Sequence, residues 1–169
     1  MLKNAAWVAF LVACSKGAAT DKDWSRIGID DTIQGSVNNV SFELKLPKGW
    51  KRDVDEAHMK GWRPNVEDYT NAPSVTVGFV HQPPNSLDAY IKNLTFAGEP
   101  IIDKKIMNAD FLVVVAHTAD NGVVKVDYMS HKGETYLGCS AFQMRSGGVP
   151  NPKATAEWLE SICRTLTIK

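Results

Sequence analysis

Chemistry in this chain of 169 residues would have to come from a few side chains, among them three cysteines, four histidines and 19 carboxylates. His58, His81, His117 and His131 are scattered. No two of them stand at helical or hairpin ligand spacing to each other or to a cysteine. His117 ends an apolar run, where a hydrogen-bonded core or rim histidine is the ordinary reading. The chain contains no Gly-x-Ser-x-Gly elbow, phosphate loop or dinucleotide fingerprint. Asp30-Asp31 lacks further oxygen ligands at the spacing a cation loop needs. Asp53, Asp55 and Glu56 lie in a charged stretch that reads as solvated surface. The expectation is no catalytic, cofactor-binding or metal-ligating set.

The cysteines are more informative. Met1-Leu2-Lys3-Asn4 is a short basic start, Ala5 to Ala13 is apolar, and Cys14 is followed at once by polar residues as far as Asp23. That order of parts is a secretory signal. It is far shorter than the roughly 20 apolar residues of a membrane span. Leu11-Val12-Ala13-Cys14 resembles the lipobox of bacterial lipoproteins. The resemblance implies that residues 1–13 are removed as a signal peptide and that Cys14 carries lipid, palmitate included. Residues 14–23 then form a tether and residues 24–169 a single domain. Ser15 directly after the cysteine is similar to an outer-membrane sorting choice, which implies an anchor in the outer membrane facing the periplasm.

Cys139 and Cys163 belong to elements that the apolar pattern defines. Val40 to Leu46 alternates apolar and polar residues, the two-residue period of a strand with one wet face. Pro47-Lys48-Gly49 ends it. Ser74 to Val80 repeats the pattern. Ser86 caps a helix whose Leu87, Tyr90, Ile91 and Leu94 share a stripe. Ile101 to Met107 reads as a strand, and Phe111 to Ala116 as one covered on both faces. Asn121-Gly122 predicts a tight hairpin into Val123–Ser130. A second turn at His131–Glu134 leads into Thr135–Met144, so the product is a three-stranded meander. Lys153 to Leu166 is a closing helix. Cys139 shares parity with Leu137 and Ala141, and Cys163 lies on the helix stripe. Both point toward one interface, and an exported chain meets an oxidising compartment, so a disulfide is expected. The alternative is two buried thiols.

Two turns draw attention in the stretch Lys51 to Ala72, which otherwise reads as polar and irregular. Lys48-Gly49-Trp50-Lys51 recurs in form as Lys60-Gly61-Trp62-Arg63, with Tyr69 nearby. Trp and Arg are common interface anchors. Trp50, Trp62, Arg63 and Tyr69 are therefore the candidate partner-binding residues, unless each Trp folds back over a sheet edge. Losing Lys3 leaves 18 basic against 19 acidic side chains. With no block of like charge, nucleic acid is not an expected partner.

Phe42-x-Leu44-x-Leu46-Pro47-x-Gly49-Trp50 resembles the opening strand of the Mog1/PsbP-like group, which includes DcrB-like lipoproteins. The order of later elements is similar too. The resemblance implies an α+β fold, an α/β/α sandwich around a central, mainly antiparallel sheet, and activity as a binding or assembly factor. Together these readings predict a membrane-anchored lipoprotein whose domain binds another envelope component, a protein first. The alternatives are a small-molecule or lipid carrier with a sheet–helix cavity, and an enzyme with an unrecognised site.

Overall fold

The computed structural model describes residues 22–66, 71–94 and 99–169. Strands β1 (Asp31–Val37) and β2 (Val40–Leu46) form a hairpin closed by Asn38 and Asn39, with φ of 46° and 66°. Two successive positive φ values suit a two-residue hairpin turn, and asparagine tolerates them. A short β10 (Thr167–Ile168) pairs with the other edge of β2, giving the order β1-β2-β10. The clearest strand in the sequence thus belongs to the smaller of two sheets.

The larger sheet runs β3 (Trp50–Asp55), β4 (Met59–Pro64), β5 (Ser74–Val80), β9 (Thr135–Met144), β8 (Val123–Lys132), β7 (Phe111–His117) and β6 (Ile101–Met107). Every neighbouring pair is antiparallel. With helices α1 (Leu87–Lys92) and α2 (Pro152–Cys163), the protein has an α+β fold. No helix among the described residues is long and apolar enough to cross a membrane.

Residues 51–64, read from the sequence as irregular, hold a hairpin instead. β3 is an outer strand with a bulge between Arg52 and Val54, and only one side of it pairs. Charged residues can therefore occupy both of its faces, and that hides the two-residue period. The Asn121-Gly122 turn also differs from its expectation. The β7–β8 connection is five residues long, Thr118 to Gly122, with only Asn121 in the left-handed region at φ 54°. Asp120 organises it, accepting from the Gly122 backbone at 2.9 Å and the Thr118 hydroxyl at 2.5 Å.

Strand alternation gives the large sheet two unlike faces. Val75, Val77, Val113, Val115, Val126, Cys139 and Ala141 point to one of them, which is closed by α2 and by Phe42, Leu44 and Leu46 of the small sheet. The Cys139–Cys163 disulfide joins β9 to α2 across this core, with Cα atoms 5.5 Å apart. The opposite face carries a smaller cluster of Leu112, Val114 and Met129, against which Leu87, Tyr90 and Ile91 of α1 pack. β7 is accordingly buried on both sides, as its unbroken apolar run requires. The Ser86 hydroxyl caps α1, accepting from the Ala89 backbone at 3.2 Å.

A candidate ligand groove on the open face

The residues singled out in the sequence scatter across the molecule. Cys14 and Tyr69 lie outside the described residues. Trp62 is 3 % exposed and meets Phe42 edge-on, ring centres 6.1 Å apart. Trp50 is half-buried and packs edge-on against Trp158 of α2 at 6.1 Å. The register explains both, since Trp50 stands opposite Pro64 and Trp62 opposite Arg52, which turns the two indoles toward the closed face. Arg63 points the other way and pairs with Asp53. Trp62 is thus a core residue, and the two turns do not form a common aromatic grip. Cys139 and Cys163 are brought together as expected.

Two of the cavities lie on opposite sides of the large sheet. The first, about 380 Å³, lies beside α2 over Val115, Val124 and Ala156. Its rim groups satisfy one another. Lys104 Nζ donates to both Glu160 carboxylate oxygens at 2.8 and 2.9 Å, and Arg164 Nε donates at 2.7 Å. Burial alone would raise the Glu160 carboxyl, but these hydrogen bonds outweigh it and hold the group below its usual value. His117 Nδ1 meets the Thr118 carbonyl at 2.8 Å while Nε2 lies 3.3 Å from Asp103.

The second cavity is a groove of about 590 Å³ between α1 and the open face. Its floor follows from the register of four strands, β4, β5, β9 and β8. Along one row stand Met59, Gly78, Gly138 and Met129, and along the next Gly61, Thr76, Ser140 and Asp127. Thr76, Gly78, Gly138 and Ser140 therefore leave a low, flat block in the middle, walled by Met59, Met129, Pro83-Pro84 and Tyr90. The Thr76 hydroxyl donates to the Ser140 carbonyl at 3.2 Å. Asp127, 6 % exposed, lies 3.0 Å from Lys125 Nζ. Burial and the Asp127 carboxylate, to which its hydroxyl is bonded, push the Tyr90 phenol far above its usual value. Tyr90 is thus a fixed donor that orients an acceptor at the groove's edge.

The apolar positions of β5 and β9 mark these strands in the sequence, but the intervening positions mark the groove. Thr76, Gly78, Gly138 and Ser140 are small where a half-buried sheet face usually carries bulk. That was the available signal.

No family model matches the chain, and no curated protein does. Among solved structures, the chain is similar to a protein from Bacteroides thetaiotaomicron VPI-5482 at 10 % identity and a TM-score of 0.48, over 84 % of this chain. It covers 49 % of that structure, about half its length. A fragment of a STAR-related lipid transfer protein from Xanthomonas axonopodis aligns at 10 % identity and a TM-score of 0.32, over 70 % of this chain and 92 % of that one. Neither overlap is close enough to carry an argument about function.

Proposed function

We propose that this chain is a lipid-anchored protein of the bacterial cell envelope that works by holding a small ligand rather than by catalysis. Cys14 would bear the anchor, residues 14–23 the tether, and the groove over the open face the ligand. The observation that carries the reading is that groove, about 590 Å³, on the side of the sheet away from α2 and the disulfide. Small-ligand sites fall in the range of about 300–1,000 Å³. The Cys139–Cys163 bond supports export, because disulfides persist in oxidising compartments. The α/β/α layering implied by the Mog1/PsbP-like resemblance belongs to the same reading, with α1 and α2 on opposite faces of the large sheet.

The Trp-based grip on a protein partner is set aside, since Trp62 is core. A protein partner is still favoured by one observation: outer strand β6 exposes Ile101 at 45 %, Ile106 at 36 % and Met107 at 44 %. Such an edge accepts an extended segment by strand addition.

Fractionation and a binding titration test the main reading. The native chain should travel with the outer membrane and carry an acylated N-terminal Cys14, while Cys14→Ser should keep residues 1–13. The full Cys14→Ser chain should bind the fluorescent probe N-phenyl-1-naphthylamine one to one. Absence of saturable binding would remove the ligand from the account.

A further inference from the structure

Two glycines inside strands need a reason. Gly78 and Gly138 face each other across the β5–β9 pair in the middle of the large sheet. Glycine in a strand interior costs stability relative to alanine and often marks a place where a ligand or another backbone comes close. Conformation does not require it here, because neither residue has a positive φ. Packing does not require it at Gly78 either. Among the described residues, the nearest atom to a Cβ at that position is the His58 carbonyl oxygen at 3.7 Å, an ordinary contact. At Gly138 a Cβ would meet a Val80 methyl at 3.3 Å. Gly35 of β1 shows the contrast: a Cβ there would sit 2.6 Å from the Phe42 ring, so that glycine serves the core. Val80 thus already crowds a side chain at Gly138, and Gly78 is the glycine that keeps space free for something outside the chain.

The shape and chemistry of that space narrow its occupant. Strands lie about 4.8 Å apart, so the backbones of Met59 and Met129, three strands apart, stand about 14 Å from each other. The two rows of the floor are two residues, about 7 Å, apart along the strands. One side of this floor is bounded by methionine, which makes favourable contacts with aromatic rings. The other side is polar, with the Thr76 and Ser140 hydroxyls and the Asp127 carboxylate. An acyl chain would leave the Thr76, Ser140 and Asp127 side unused, and a sugar ring would leave the Met59–Met129 row unused. We infer that the groove binds a planar aromatic ring of one or two fused rings, laid flat over Gly78 and Gly138 between Met59 and Met129, with an N–H or O–H donor directed at Ser140 and Asp127. The inference rests on the groove being the ligand site proposed above.

The test uses the full Cys14→Ser chain, which has no acyl chain to compete, with indole as the probe and decanol as its apolar comparison. Backbone amide NMR should show saturable indole shifts centred on Gly78, Gly138 and Ser140. Ser140→Ala should weaken indole about three- to tenfold, the scale of one neutral hydrogen bond, and leave decanol unchanged. Gly78→Val should abolish the indole shifts while the chain stays folded, and Gly78→Ala should weaken them if the bulkier variant fails to fold. Decanol shifting these amides while indole does not would overturn the aromatic inference and leave the groove standing. Neither compound shifting them would overturn both.

Discussion

The two faces of one sheet are built to different standards. The closed face has α2 laid along it for twelve residues, a disulfide through its centre, and Leu159, Ile162 and Cys163 with no measurable exposure. The open face has a six-residue helix with no buried residue of its own, resting on only part of the surface. Stability is concentrated on the first face, and that leaves the second free to keep glycines where valines would pack. Surplus stability is what lets a protein retain locally unfavourable residues at a working site.

Substitutions of matched type should separate the faces, and the largest difference should come from the helices. Leu159→Ala should cost about 3–5 kcal/mol as a fully buried leucine. Leu87→Ala, on a half-buried residue of α1, should cost about 1 kcal/mol by the area it covers. Urea denaturation of both variants checks this, and equal losses would erase the contrast. Reduction of the Cys139–Cys163 bond, 24 residues apart in sequence, should cost about 3 kcal/mol in the chain-entropy picture. It should leave probe binding on the far face intact, as melts and titrations with and without reductant would show.

Glycines give the next comparison, and here the signs differ. Gly35→Ala should destabilise by about 1–3 kcal/mol, because its Cβ enters the Phe42 ring. Gly78→Ala should stabilise by about 0.5–1 kcal/mol, since the strand gains a Cβ without a clash. A loss at Gly78 would mean that the glycine serves the fold.

The smallest effect concerns pH at the end of the open face. His131 directs Nε2 at the Ala109 carbonyl, 2.5 Å away, and Nδ1 at the Gly133 carbonyl, 3.1 Å away. Two acceptors need two donors, so these bonds, with Asp110 nearby, raise the ring above its usual 6.5. Its contribution is full below the unfolded value and fades as pH rises through the raised folded one. Thermal melts from pH 5 to 8 should show that decline in the native chain and not in His131→Gln.

How much of this was legible in the sequence follows from the same contrast. Apolar alternation announced β2 and β5, an unbroken apolar run announced β7, the turns at Asn121-Gly122 and His131–Glu134 marked off β8 and β9, and the parity of Cys139 with the stripe of Cys163 announced their bond. β3 stayed hidden because an outer strand need not alternate, and the lysines and arginines around Trp50 and Trp62 left open whether each indole is exposed or folded back over a sheet edge. Pairing alone decides which way an indole points. The groove could not be read from any one strand, because its floor exists only once Gly78 meets Gly138 and Thr76 meets Ser140. A site made of small residues leaves no motif.

The most direct test of the central claim is to fill that floor and measure two quantities on one protein. Gly78→Val, in the full Cys14→Ser chain, should keep or raise the melting temperature and lose N-phenyl-1-naphthylamine binding by tenfold or more. A variant that stays folded and binds the probe as before would show that the glycine was never holding a place for a ligand.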